Sequence, residues 1–395
     1  MAWANANAGL SRLNYRTTDP DLLPALTEIA VRQSPSDPDA HCALAEALLG
    51  ANRFAEAVAE YEAAVKLRPR DYFLWMELGY ALVQNRDDDR AYVAYQTAAK
   101  LAPHYTQPRL RLGEFLLRLQ RREEAFQQFR RAATSDNTLL PEVTQLAIFE
   151  FGDPAYIVQV LQPRTATEKM TLAFSFLKEG YIEEAVKLFH QTGDVTDADR
   201  KKLVHSLLQA KRYREAHQVW SSAFPVSENA GAESIINGAF ESEIRLDETG
   251  FGWQVPRSEE GEVSLSVEDP HSGRASLSIS YTGESNPSTP AISQIVLVRP
   301  DSSYRLSYAA RTSDLVTGGP PVVGVINAAT NRVLAESDPL GAGSQPWRAY
   351  QLGFSTEEVE AVIVAIYRQH CRSTGPTCAA FGRVWFDSFR LVENQ

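Results

Sequence analysis

Along the first 224 residues, apolar side chains return every three to four positions, the period of an amphipathic helix, in a texture rich in Ala, Leu, Glu and Arg and poor in Gly. From about residue 235 to 395 the texture changes to Ser, Gly, Pro and short β-branched runs in which apolar and polar positions alternate. Val263, Leu265 and Val267 alternate with Glu262, Ser264 and Ser266, and Leu277, Ile279 and Tyr281 with Ser276, Ser278 and Ser280. Each strand is therefore expected to have one buried and one wet face. Strands are predicted at 262–267, 275–281, 292–298, 304–311, 322–327, 348–354, 362–367 and 384–391. With roughly nine to eleven strands and no intervening helical period, the second half should be an antiparallel β-sandwich. The expected fold class is multidomain, α plus all-β: a helical domain over 1–224, a polar linker at 225–234 (PVSENAGAES) and a β domain over 235–395.

The helical half repeats itself. His41, Trp75 and Arg109 recur at intervals of 34 residues and bring Leu44, Leu78 and Leu112, then Ala45, Gly79 and Gly113, into register. Ala57, Ala91 and Ala125 follow, then Tyr61, Tyr95 and Phe129, with Pro69 and Pro103 closing the first two units. Small residues where two antiparallel helices approach, large ones filling the gap and a terminal proline match the tetratricopeptide repeat. Leu10, Ala30 and Pro35 suggest a degraded unit before these three. Ala173, Phe176, Ala185 and Phe189 mark a later one, and Val204, Leu207, Ala216 and Trp220 another. Residues 139–162 are helical in texture but have lost the pattern. About six hairpins stacked as an α-solenoid are expected, because one hairpin cannot bury its apolar face alone.

In proteins that this repeat resembles, the first helix of each unit lines a concave surface that holds a peptide. The matching positions nominate Phe73, Met76, Tyr80 and Val83 in the second unit and Leu110, Glu114 and Leu117 in the third. The groove is apolar and aromatic at its middle and lacks the Lys/Asn/Arg set that clamps a C-terminal carboxylate. It suits an extended or helical apolar segment of a partner protein. The same side chains are equally suited to packing against neighbouring repeats or the β domain.

In the second half, Asn237-Gly238-Ala239-Phe240-Glu241, Gly252-Trp253, Pro270 to Leu277, Tyr304 to Tyr308 and Val384 to Leu391 resemble the carbohydrate-binding modules of families four and nine. That resemblance implies a jelly roll related to galactose-binding-like domains. It further implies a structural calcium near the first and last strands, with Glu241 and Asp387 as the oxygen donors and backbone carbonyls near Ser272 and Gly273. Asp387 is followed by Ser388 where the family has a second aspartate, and carboxylates satisfied by loop amides are the alternative. Sugar binding needs flat rings beside polar groups, and Gln294, Tyr308, Arg311, Trp347, Tyr350, Tyr367 and Arg368 are the candidates. Trp253 and Trp385 read as core.

Composition narrows function mainly by exclusion. Fifty acidic against 39 basic residues give a charge of -11, and the arginines are interleaved with glutamates, so a nucleic-acid backbone is an improbable partner. No apolar run reaches the ~20 residues of a membrane span, and Met1 to Leu10 does not read as an export signal. Cys371 and Cys378 bracket a Ser/Thr/Gly/Pro loop and can close it as a disulfide in an oxidising compartment, free thiols or a metal site being the alternatives. No HExxH, P-loop, GxGxxG, GxSxG or CxxC pattern occurs, and the seven histidines are scattered. The expectation is a non-catalytic scaffold, periplasmic or extracellular, whose repeats bind a partner protein and whose sandwich binds or once bound polysaccharide, in surface-polysaccharide assembly or export. The alternatives are a purely structural or cytoplasmic adaptor without glycan binding, and a glycoside-active jelly-roll enzyme.

Overall fold

The computed structural model describes residues 23–224, 234–245, 248–256, 261–285, 289–371 and 378–394. Leu10, residues 225–233 of the expected linker and the 372–377 loop lie outside the described residues. The chain forms two compact units, Met1–Leu188 and Phe189–Gln395.

The described residues of the first unit form helices joined by short turns. A single helix, α1 (Leu23–Gln33), precedes three regular hairpins: α2 (Pro38–Gly50) with α3 (Phe54–Leu67), α4 (Tyr72–Gln84) with α5 (Asp88–Leu101), and α6 (Thr106–Arg118) with α7 (Arg122–Ser135). Within each hairpin a small residue of the first helix faces a ring of the second. A Cβ added at Gly79 would stand 2.9 Å from the Tyr95 ring, and one at Gly113 would overlap Phe129. Tyr61, Tyr95 and Phe129 are 0%, 5% and 3% exposed, so each ring is a wedge held on all sides. Burial of each such ring contributes about 2–3 kcal/mol.

A second device repeats with the same period. The His41, Trp75 and Arg109 side chains donate to the carbonyls of Pro35, Pro69 and Pro103, at 3.0, 2.9 and 3.4 Å, each six residues upstream. The proline ends a helix and its orphaned carbonyl is taken up by the first residues of the next. Asp37 and Asp71 cap α2 and α4 by accepting the amides of Asp39 and Phe73. The turn inside each hairpin puts Asn52, Arg86 and Gln120 in the left-handed region, at φ of 58°, 60° and 61°.

After α7 the regularity lapses, as the lost pattern over 139–162 foretold. A 3-10 turn (Asn137–Leu139) leads into α8 (Leu140–Phe151), and α9 (Pro154–Leu161) stops after 8 residues where α3, α5 and α7 each run 14. Regular hairpins resume with α10 (Ala166–Lys178) and α11 (Ile182–His190).

The second unit opens with the hairpin of α12 (Asp197–Gln209) and α13 (Tyr213–Ser221), so the division into compact units falls well before the change from helical to strand texture. The physical reason is Trp220. Its indole Nε1 donates to Glu248 Oε1 at 2.8 Å, Gly250 N donates to the same oxygen at 2.6 Å, and a side chain at Gly250 would overlap the indole. The His217 and Trp220 rings pack on Phe251, which is 1% exposed.

Nine strands follow among the described residues: β1 (Glu262–Ser266), β2 (Ser276–Ser285), β3 (Ile292–Leu297), β4 (Ser303–Thr317), β5 (Pro321–Asn327), β6 (Val333–Glu336), β7 (Gly343–Ser355), β8 (Ala361–Arg368) and β9 (Cys378–Glu393). They form two antiparallel sheets, ordered β1-β2-β9-β4-β7 and β3-β8-β5-β6. Leu277, Ile279, Leu306, Val384 and Phe386 from one sheet and Ile292, Val323, Val325 and Val364 from the other share one core.

Two expectations of the alternation do not hold. The apolar stripe of β1 is buried only in part: Val263 packs half-buried on the core, while Leu265 and, just past the strand, Val267 are 37% and 81% exposed, because β1 is an edge strand. The second face of β2 is not wet: Ser276 and Ser278 are 0% and 3% exposed. Ser278 pairs with Trp385 of β9, which lies under the Arg311 guanidinium at 3.9 Å. Strand β6 escaped the sequence reading, and β4, β7 and β9 run longer than read. Bulges at Ala310/Thr312 and Ser313/Val316 interrupt the alternation that would have revealed the length of β4. Cys371 and Cys378 are joined as a disulfide with their Cα atoms 5.7 Å apart, and the Arg368 guanidinium donates to the Cys378 carbonyl at 2.7 Å.

Two outcomes are expected. Gly113→Ala should lower stability in urea denaturation by about 1–2 kcal/mol, since overpacking outweighs the better helix propensity, and Gly79→Ala should cost less. Replacing Cys371 and Cys378 together by Ala should cost about 2–3 kcal/mol by loop-closure entropy, read as a lower midpoint for the second unit.

Candidate functional site

The first helices α2, α4 and α6 put side chains of three units on one face. Of the residues nominated there, Phe73 and Tyr80 are 44% and 48% exposed, and Glu114 is exposed. Val83, Leu110 and Leu117 are half-buried and pack on the core of the unit, while Met76 is 3% exposed and belongs to the interior. The apolar groove thus reduces to two large exposed rings on α4 over a floor of half-buried aliphatic groups.

Between those rings the sequence reading missed a charge. Phe73, Glu77 and Tyr80 are spaced by four and three positions and lie along one side of α4. Burial, and after it the nearby Glu46 of α2, holds the Glu77 carboxyl above its usual range, with Arg111 of α6 pulling the other way. Arg111 is engaged by Glu114 at 3.1 Å. Cys42 senses the same field: its thiol is pushed up to about 12, first by burial and then by Glu46 and Glu77. The repeat register does expose this position, as Ala43, Glu77 and Arg111 are equivalent, but attention to ring and aliphatic positions passed it over. The face can accept an apolar segment that brings a cation to Glu46 and Glu77.

In the second unit the seven sugar-binding candidates do not converge. Gln294 is 1% exposed and its amide spans the Ile236 backbone, accepting from N and donating to O, both at 2.9 Å. Tyr308, 2% exposed, is stacked between Tyr350 and Phe389 at 5.2 and 5.1 Å. Arg368 is 2% exposed and donates to Thr317 and Cys378. Tyr367 donates to Glu336 at 2.6 Å. Arg311 and Trp347 do meet, on the other face of their sheet from Tyr308. There Trp347 Nε1 donates to the Asp269 carbonyl at 2.8 Å and Arg311 to the Glu268 carbonyl at 2.6 Å, so both hold down the loop before β2.

The two carboxylates nominated for calcium grip that same loop. Glu241 accepts the amides of Arg274 and Ala275 at 2.7 and 3.2 Å, which hold its carboxyl below the usual range. Asp387, fully buried, accepts the amides of Ser272 and Ser388 at 2.8 and 2.6 Å. Oxygens that face N–H donors do not fit a resident cation, which needs six to eight oxygen ligands. No group of three metal-ligating side chains occurs among the described residues.

The raised Glu77 carboxyl has a consequence for stability. Its folded pKa lies above the unfolded one, so folding favours the protonated form, and the penalty on stability grows as pH rises through the folded pKa. Glu77→Gln should therefore raise the melting temperature near pH 7, and the gain should vanish below about pH 4, where both states are protonated. Melting curves followed by circular dichroism at the two pH values check this.

The tetratricopeptide repeat family model matches residues 23–72, 42–106 and 76–138. Among solved structures, MamA (41-end) from Desulfovibrio magneticus RS-1 is similar at 16% identity over 48% of this chain and 92% of its own, with a TM-score of 0.31. TTC0263, a thermophilic TPR protein in Thermus thermophilus, is 19% identical over 56% of this chain and 98% of its own, with a TM-score of 0.30. PilF of Pseudomonas aeruginosa is 16% identical over 56% and 92%, with a TM-score of 0.31. No curated protein matches the chain. The register of 34 residues, the small-residue-to-ring contacts and the family match agree that the N-terminal half contains tetratricopeptide repeats, over residues 23–138.

Proposed function

We propose that this protein is a non-catalytic interaction scaffold whose repeats hold an apolar segment of a partner protein carrying at least one basic residue. The observation that carries this reading is the exposed pair Phe73 and Tyr80 flanking the under-compensated Glu77. Two large rings exposed one above the other along α4 offer apolar surface that a partner segment can cover. A carboxylate held partly out of water beside a second one gains most from an incoming cation, which sets the chemistry of the partner and favours lysine or arginine.

The β half, in this reading, supports the assembly without taking up sugar. What supports this is the internal use of Gln294, Tyr308 and Arg368 and the clamping of Arg311 and Trp347 onto the Glu268–Asp269 backbone. The resemblance to a jelly-roll carbohydrate-binding module then reflects fold residues such as Trp253 and Phe240, which pack together at 5.3 Å. The Cys371–Cys378 bridge favours an oxidising compartment, periplasmic or extracellular. No helix among the described residues is long and apolar enough to cross a membrane.

The test is selection of displayed peptides on the full chain, followed by affinity measurement. Selected sequences should combine two apolar anchors with a Lys or Arg, and Phe73→Ala and Tyr80→Ala should each weaken the best of them by about 1–2 kcal/mol without changing the melting temperature. Glu77→Gln should remove the preference for the basic residue. Binding that survives both ring deletions would sink the reading.

A further inference from the structure

The irregular stretch after the third repeat encloses a cavity of about 440 Å³ that the groove does not explain. Its origin is geometric. Helix α9 ends at Leu161, six residues short of the 14 that the other second helices use, and the space its missing turns would fill remains open between α7 and the start of α10. The wall is aliphatic: Ala133, Leu140, Val143, Leu161 and Leu172. No aromatic side chain lines it, so nothing there stacks on a planar ring or a sugar.

Two polar features break this wall. Thr144 is fully buried, lines the cavity, and its hydroxyl has no hydrogen-bond partner. A threonine inside a helix ordinarily gives its hydroxyl to the carbonyl four residues back, and a buried polar group left unmade is costly. At the rim stand Arg130, Arg131 and Arg164, none of which meets a carboxylate within 4 Å among the described residues. Glu168, the one carboxylate lining the opening, is engaged by the backbone amides of Arg164 and Thr165 at 2.6 and 3.1 Å. Arg130 is positioned by Gln162 Oε1, which accepts from it at 2.5 Å. In a chain of net charge -11, where Arg111, Arg118, Arg121 and Arg122 are paired with carboxylates, three guanidinium groups without a carboxylate partner converge on this one opening.

We propose that this cavity binds a single-chain aliphatic carboxylic acid. The hydrocarbon lies against the leucine and valine wall, the carboxylate sits at the arginine rim, and the Thr144 hydroxyl donates to a carboxylate oxygen. The volume is that of a small-ligand site, too small for a two-chain lipid. Guanidinium groups suit the carboxylate because they present paired donors and are weakly hydrated.

The experiment is isothermal titration of the full chain with decanoate, with decyltrimethylammonium as the probe of equal apolar length and opposite charge. One decanoate per chain is expected, with the cation at least about tenfold weaker. Arg130→Gln combined with Arg164→Gln, both outside the core, should weaken decanoate about tenfold. Thr144→Val should weaken decanoate severalfold while raising the melting temperature of the ligand-free protein, a combination that a merely structural hydroxyl would not give. No saturable decanoate binding, equal binding of the two probes, or decanoate affinity untouched by these substitutions would each overturn the proposal. So would capture of an acetylated peptide ending in Leu in place of decanoate. Retained decanoate binding in Tyr80→Ala separates this site from the groove.

Discussion

The first unit depends on how closely two helices of a hairpin approach. Gly79 opposite Tyr95 and Gly113 opposite Phe129 leave no room for a Cβ, and the rings so trapped are the wedges on which the next hairpin rests. Because the same approach must be made in each unit, the residue types that allow it return every 34 positions. The carbonyl of each closing proline is met by the side chain six residues later, which fixes how one hairpin hands over to the next. Everything exposed on α2, α4 and α6 follows from that stacking. A ring at Phe73 and another at Tyr80 reach the same face only because the wedges behind them are constant.

Such repetition explains why the helical half was legible. A constraint that demands glycine or alanine opposite an aromatic ring leaves the same residue types at the same interval, and a reader needs no coordinates to see it. What stayed hidden was decided by context. The hairpin turns need a left-handed residue, but Asn52, Arg86 and Gln120 occupy it, so no glycine announced them. Glu77 looks like any surface glutamate until Glu46, 31 positions earlier in sequence, is seen beside it. In the β half, alternation identified the inward residues of β2 correctly, yet the burial of Ser276 and Ser278 on the other face follows from Arg311 and Trp385 on other strands. Period two reports which face a side chain takes. It does not report which side chains of other strands cover that face.

The loop before β2 gives the residues that carried the resemblance to carbohydrate-binding modules a use inside the fold. The chain from Glu268 to Ala275 is held at both flanks by carboxylates, Asp387 taking the Ser272 amide and Glu241 those of Arg274 and Ala275. Arg311 and Trp347 hold its start through backbone carbonyls. Gly273, at φ 64° with Glu241 where its Cβ would be, lets the chain pass between the two carboxylates. Backbone amides here satisfy the Asp387 and Glu241 oxygens for which the resemblance implies a cation.

Charge is the remaining asymmetry. Most arginines along the repeats are matched within the fold, as Arg68 is with Asp39 and Arg121 with Glu124. Among the charges without an ion pair in the described residues, two clusters stand beside apolar surface: the carboxylates Glu46 and Glu77 on the first-helix face, and the guanidinium groups Arg130, Arg131 and Arg164 beside the shortened α9. Unmatched charges of one sign near apolar surface lower the stability of the ligand-free fold, since desolvation penalises them and nothing nearby offsets it. The two sites have opposite sign and lie on different helices of one unit, so the ligands proposed for them differ: a cation-bearing apolar segment for one, an anionic hydrocarbon for the other. On these proposals one ligand can affect the other only if α7, which is the second helix of the third unit and also a wall of the cavity, moves when the cavity fills.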